Sequence, residues 1–201
     1  MGEPFTEDFA TLVAQLCAEH AESLSGRYAL FGHSMGALLA WGIAQRQCAL
    51  ARPLPWSLIV SASSAPSQRD PERFAGMNND AALIADLRKQ GGTPDEVFDN
   101  VELLRIALDS LAADYRVCGS FSYAAPKPLS IPVHVLAGRE DDISAASIEA
   151  WRQEAAGAFS LDWFDGGHFF IRQREQEVLT VIVRELVHHF SGVGHAADRA
   201  A

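Results

Sequence analysis

The chemistry available to this sequence gathers at one serine, one histidine and a short acidic run. Ser34 sits in Gly32-His-Ser-Met-Gly36, a G-x-S-x-G pattern that follows a short apolar run and opens a helical one. The chain must turn sharply there. Glycine two places either side of the serine avoids a collision and tolerates unusual dihedrals. Such a turn lifts the hydroxyl clear and aims the backbone N–H of Met35 at the place where an oxyanion would form. A serine hydroxyl is a weak nucleophile near neutral pH and needs a base. His168 follows Gly166-Gly167 after the last apolar run, where a glycine loop can carry an imidazole back over the serine. An acid to orient that imidazole must come from the segment after Gly138, which offers Glu140, Asp141 and Asp142. Asp141 has the preferred spacing, and the other two stay open at this point. Together these types serve acyl transfer through a serine ester, with the imidazole shuttling one proton. The plainer alternatives are a tight turn with a capping serine and a loop histidine facing water. His20, His33, His188, His189 and His195 lack the glycine-loop setting, and His134 lies inside a strand pattern, which reads as structural.

The elements that must position these groups are legible from periodicity. Phe9, Leu12, Val13, Leu16 and Cys17 have amphipathic-helix spacing, with Thr6 as N-cap and Glu7 and Asp8 in the first turn. Residues 28–31 read as a short buried strand, 37–44 as the helix leaving the glycine turn, and 56–60 as the next strand. From Asp70 to about Tyr123 the character changes to several short helices. Leu83, Ile84 and Leu87 share a face closed by Gly91-Gly92. Thr93-Pro94 through Glu96 reads as a capping box with proline at the first helical position, and Asp99 with Glu102 repeats such a start before the stripe of Leu104, Leu108 and Leu111. Strand character returns at 132–138 and at 159–164, with a helix near 147–154 between them and a long helix from about Gln173. The tail after Ser191 reads as frayed. This alternation predicts an α/β protein with a mostly parallel sheet, whose ligands bind beyond the carboxyl ends of the strands.

Composition narrows the partners. The 201 residues suit one domain, with 48 % apolar and 21 % charged residues. A net charge of −10 argues against nucleic acid. No apolar stretch has the length of a membrane span, and no secretory signal opens the chain, so the expectation is a cytoplasmic protein with no membrane contact. Cys17, Cys48 and Cys118 are odd in number and unpaired in spacing, so each reads as a small core hydrophobe rather than part of a disulfide framework or zinc site.

At this level the sequence resembles the type II (external) thioesterases of nonribosomal peptide and polyketide assembly lines. The resemblance rests on residues 29–40 around the serine turn, Val60 to Pro66, Leu87-Arg-Lys-Gln-Gly-Gly-Thr-Pro94, Ala112 to Arg116, Gly138-Arg-Glu-Asp141 and Phe164-Asp-Gly-Gly-His-Phe-Phe170. It runs from about residue 3 to about residue 190, and its Gly-Gly-Thr-Pro and Gly-Gly-His-Phe-Phe pieces are the specific ones. It implies an α/β-hydrolase fold that hydrolyses unwanted acyl groups from the phosphopantetheine thiol of acyl-carrier or peptidyl-carrier proteins. It also implies a helical lid over an acyl chamber, here residues 70–123. Phe74, Met77 and Leu83 are candidate contacts there, though ordinary packing is the preferred reading for them. Carried over by motif, Ser34 is the nucleophile, Asp141 the orienting acid and His168 the base. No cofactor or metal is implied, and a monomer is expected.

The resemblance sets one further expectation. Family members begin with about fifty more residues, including the first strands and a His-Ala-Gly-Gly-like loop that supplies a second oxyanion N–H. Here Gly2-Glu-Pro4 already reads as the segment before the first helix, so Met1 reads as an internal start, a misassigned start or a real truncation, and these residues alone are expected to fold poorly or to turn over slowly. The rivals are another serine carboxylesterase of the same fold and a non-catalytic remnant that binds carrier protein.

Overall fold

The computed structural model describes residues 5, 6 and 8–192; the expectations for Glu7, for Gly2-Glu-Pro4, for His195 and for the tail beyond Gly192 lie outside them. Four strands form a parallel sheet in the order β1 (Leu30–His33), β2 (Leu58–Ser61), β3 (Val133–Gly138) and β4 (Phe159–Phe164). Helix α1 (Phe9–Glu19) precedes the sheet, and α2 (Met35–Ala49) crosses from β1 to β2. Between β2 and β3 lie two 3-10 turns, Pro66–Gln68 and Pro71–Phe74, then α3 (Asp80–Gln90), α4 (Asp95–Asp99) and α5 (Val101–Ser120). Helix α6 (Ala145–Glu149) runs into a 3-10 turn before β4, and α7 (Phe170–Gln173) and α8 (Glu175–Gly192) follow it.

The strands are short, and the central ones are buried on both faces. Leu58, Val60, Val133, Val135 and Ala137 pack with Ala37, Leu38, Trp41 and Ala44 of α2 and with Trp151. Ile59, Leu136 and Phe164 point the other way, onto Phe170 and Val178. Such two-sided burial is why these strands read as near-continuous apolar runs rather than alternating ones. Coverage stops at β1, where Phe31 is exposed, as are Leu179, Val183 and Val187 on α8. The broad apolar face expected of the last helix is therefore only partly used.

Several element ends differ from the sequence reading. Asp8, not Thr6, caps α1, accepting a hydrogen bond from the Thr11 N–H at 2.7 Å. Thr6 bonds Gln15 instead. The first strand starts at Leu30 and runs to His33, and β2 is likewise shifted toward its carboxyl end. Pro94 is itself the N-cap of α4, with no side-chain cap. Asn100 rather than Asp99 starts α5, accepting from the N–H groups of Glu102 and Leu103. A cap residue needs extended backbone dihedrals as well as a side-chain oxygen, and the sequence shows only the second. The helix expected over 147–154 begins at Ala145 and tightens to a 3-10 turn at Ala150, and the last helix is split at Arg174. Cys17 and Cys118 are buried, but Cys48 is exposed on α2 and is not a core residue.

Candidate active site

Ser34 stands between β1 and α2 with φ 57° and ψ −120°, a conformation L-residues rarely adopt. Holding a non-glycine residue there costs about 1–3 kcal/mol. The surrounding bonds impose it: the Ser34 N–H donates to the Ser61 carbonyl at 2.8 Å, and the Ala37 N–H to the Ser34 carbonyl at 3.1 Å. The glycines explain only half of the turn. A Cβ on Gly32 would lie 2.1 Å from the Gly36 carbonyl oxygen, so no side chain fits. At Gly36 a Cβ meets nothing within 4 Å, so the expected collision exists on one side of the serine only.

Asp141 and His168 arrive on two loops that are stitched to each other. A Cβ on Gly138 would lie 2.6 and 2.7 Å from the carbonyl oxygens of Gly166 and Gly167. Bonds from the Arg139 N–H to the Phe164 carbonyl (2.8 Å) and from the Glu140 N–H to the Gly166 carbonyl (3.0 Å) hold that approach. The result is one hydrogen-bonded chain. His168 Nδ1 is 2.9 Å from Asp141 Oδ2, and His168 Nε2 is 2.9 Å from Ser34 Oγ. The side chains of His168 and Asp141 are 10 % and 7 % exposed, so water competes little for these bonds. With an ionised carboxylate at Nδ1, that nitrogen carries the proton and Nε2 is free to accept one from the hydroxyl. Of the alternative acids, Asp142 pairs with Lys89 at 2.7 Å on the surface, and Glu140 is exposed.

His33 also lines the site. Its Nδ1 is 3.0 Å from Ser61 Oγ, and its ring lies 5.2 Å from that of His168. Burial, reinforced by the neighbouring His168, pushes its pKa down to about 4. It is neutral at physiological pH and adds no positive charge beside the base.

A cavity of about 570 Å³ opens over Ser34 and His168, with Met35, Gly36, Ser63 and Phe169 also on its wall. The helical segment closes its other side through Arg69, Arg73, Phe74, Leu111, Asp114, Tyr115 and Cys118. Of the three contacts suggested from sequence, Phe74 lines it, while Leu83 is buried among the helices and Met77 lies off the wall. Sequence reasoning missed Arg69, Arg73, Asp114 and Tyr115. The signal was the i, i+4 placement of Arg69 and Arg73 in a segment that had already lost its apolar period. Among the described residues no cluster of side chains could hold a metal ion, and no helix is long and apolar enough to cross a membrane.

A parallel sheet whose strand-end turn presents a hydroxyl to an imidazole defines a serine hydrolase of the α/β-hydrolase type. The chain belongs to the thioesterase domain family, whose model matches residues 1–189. It is 31 % identical over 176 residues to the gramicidin S biosynthesis protein GrsT of Aneurinibacillus migulanus, covering 87 % of this chain and 69 % of that one. BorB, the type II thioesterase from the borrelidin biosynthetic cluster, superposes with a TM-score of 0.80 at 35 % identity, over 90 % of this chain and 74 % of its own. RedJ, the thioesterase from the prodiginine biosynthetic pathway in Streptomyces coelicolor, gives 0.77 at 31 %, over 88 % and 71 %.

Proposed function

We propose that this chain hydrolyses acyl thioesters carried on the phosphopantetheine arm of a carrier protein, through an acyl-Ser34 intermediate. The observation that carries the reading is the continuous Ser34–His168–Asp141 hydrogen-bonded chain at the wall of a chamber. The family supplies thioester chemistry, and the biosynthetic clusters named for BorB and RedJ make a carrier-bound acyl group the fitting substrate. A cytoplasmic location goes with that partner.

His168 Nε2 takes the Ser34 proton as Oγ attacks the thioester carbonyl. The Met35 N–H, first in its helix and without an intrahelical acceptor, faces the developing oxyanion. The tetrahedral intermediate collapses by breaking the C–S bond, and the pantetheine thiolate leaves with the proton from His168. Water, deprotonated by His168, then attacks the ester carbonyl, and the acid departs as Ser34 is regenerated. Asp141 keeps the imidazole in the required tautomer and stabilises its cation. The segment 70–123 acts as the lid that keeps bulk water from the acyl group.

The test is hydrolysis of an acyl-pantetheine carrier protein compared with a simple oxygen ester of the same acid, together with labelling by an active-site serine probe. The expected result is faster thioester cleavage and labelling that Ser34→Ala abolishes. Preferred cleavage of the oxygen ester would make the chain a carboxylesterase, and absence of labelling in the parent chain would make it a binding remnant.

A further inference from the structure

Lys89, Arg105, Arg139, Arg174 and Arg184 each have a carboxylate partner within ion-pair distance. Among the described residues, the two arginines that line the chamber have no carboxylate within that distance. Arg69 is half-buried, with its guanidinium carbon 5.9 Å from the centre of the Phe74 ring, and Arg73 lies 5.8 Å from the same ring. Both stand on the wall shared with Ser34 and His168. The Cys118 thiol beside Arg69 is a weak acceptor and balances no charge.

The carboxylates on the same wall are engaged elsewhere or poorly suited. Asp142 is held by Lys89, with Arg73 acting on it at longer range, and Asp70 accepts from the Glu72 N–H at 2.9 Å. Asp114 is pushed upward in pKa by burial, with no cation drawing it back. A partly desolvated guanidinium without an anion is costly, and a planar carboxylate is the group its fork of donors fits.

Resting on the thioesterase reading, we infer that Arg69, assisted by Arg73, forms an anion subsite of the chamber that takes an acyl group ending in a free carboxylate. The substrate class is the half-thioester of a short dicarboxylic acid, with one carbonyl at Ser34 and the far carboxylate on Arg69. The two guanidinium carbons lie 5.9 and 5.8 Å from the Phe74 ring centre, so acyl methylenes reaching Arg69 pass beside Phe74 while the charged end meets the guanidinium.

The experiment uses N-acetylcysteamine thioesters, which have no phosphate, and pairs succinyl with the isosteric neutral 4-methylpentanoyl group. The parent chain is expected to favour succinyl by about tenfold in kcat/KM. Arg69→Gln removes that preference and Arg69→Lys restores part of it, with folding of each followed by circular dichroism. Equal rates on the two thioesters in the parent, or a loss in Arg69→Gln that is the same for both, overturns the subsite. An Arg69→Gln effect that appears only with phosphopantetheine thioesters, alike for both acyl groups, assigns the arginine to the arm's phosphate and overturns it as well. Calorimetric binding of the two thioesters to Ser34→Ala protein decides the question independently of turnover. Tighter succinyl binding that Arg69→Gln abolishes supports the subsite even if no thioester is hydrolysed, the outcome that would sink the proposed reaction instead. Equal binding of the two rejects it.

Discussion

Two histidines in this chain stand between a serine and a carboxylate, and their surroundings give them different possibilities. His168 lies between Ser34 and Asp141 at the ends of three strands. His134 lies inside β3, hydrogen-bonded to its direct cross-strand neighbour Ser160, with Asp162 Oδ2 3.2 Å and Glu185 Oε2 3.5 Å away. The residue types are the same and the contacts similar. The backbone is what differs. Ser160 sits in a regular paired strand, with its amide committed to sheet geometry. Ser34 occupies a strained turn and hands over directly to a helix whose first N–H has no intrahelical partner. The His134 side chain is 1 % exposed and forms part of the seam between β3, β4 and α8. Residue identity and proximity do not separate the two serines; on the proposed reading, the raised hydroxyl beside an unspent donor does.

Replacing each serine breaks the comparison most directly. Ser34→Ala is expected to lower thioester hydrolysis by ~10³-fold or more, while Ser160→Ala leaves it within about twofold. Steady-state rates on one acyl-pantetheine substrate measure both, and comparable losses would erase the distinction. Next in size is the steric test of the turn. Gly32→Ala forces a Cβ onto the Gly36 carbonyl and should cost about 3 kcal/mol or prevent folding, whereas Gly36→Ala should stay within about 1 kcal/mol, read from urea midpoints.

These positions also show what the sequence could and could not convey. Gly32 and the Gly166-Gly167 pair mark places where backbones meet, and a missing side chain is visible in one dimension. The order serine, aspartate, histidine, each after an apolar run, carried the topology because a parallel sheet collects all its strand ends on one side. The chamber wall was not legible in the same way. Arg73 lies on a 3-10 turn that packs against α5 and Arg69 follows the turn before it, and no periodicity encodes that path. The caps at Asp8 and Asn100 were missed by one or two places because neighbouring residues offer the same oxygen.

A smaller contrast concerns strain. Ser34→Gly relieves the left-handed backbone and should raise stability by about 1 kcal/mol, whereas Ser160→Gly should lower it by about as much by loosening a strand. Thermal denaturation of the two variants gives opposite shifts if the strain is real. The smallest effect is in pH. Burial holds both His33 and His134 below the 6.5 of a free imidazole, His33 at about 4; Glu185 and Asp162 pull His134 back only in part. As pH falls below 6.5 the unfolded chain takes up these protons before the folded one does. Stability therefore rises with pH below 6.5, from about 4 upward in the case of His33, and is flat for these groups above 6.5. His33→Gln and His134→Gln should each flatten part of this slope in urea titrations, and a slope unchanged by either variant would assign it to other groups.

The close crossing at Gly138 reaches beyond the loop it shapes. Asp141 and His168 ride on a single stapled unit at the β3–β4 end of the sheet, while the Ser34 hydroxyl is delivered from the far edge. Warming should open this assembly at its unstapled joint first, between Nε2 and Oγ. Turnover would then fade some degrees before the fold melts, with the imidazole and its carboxylate still together.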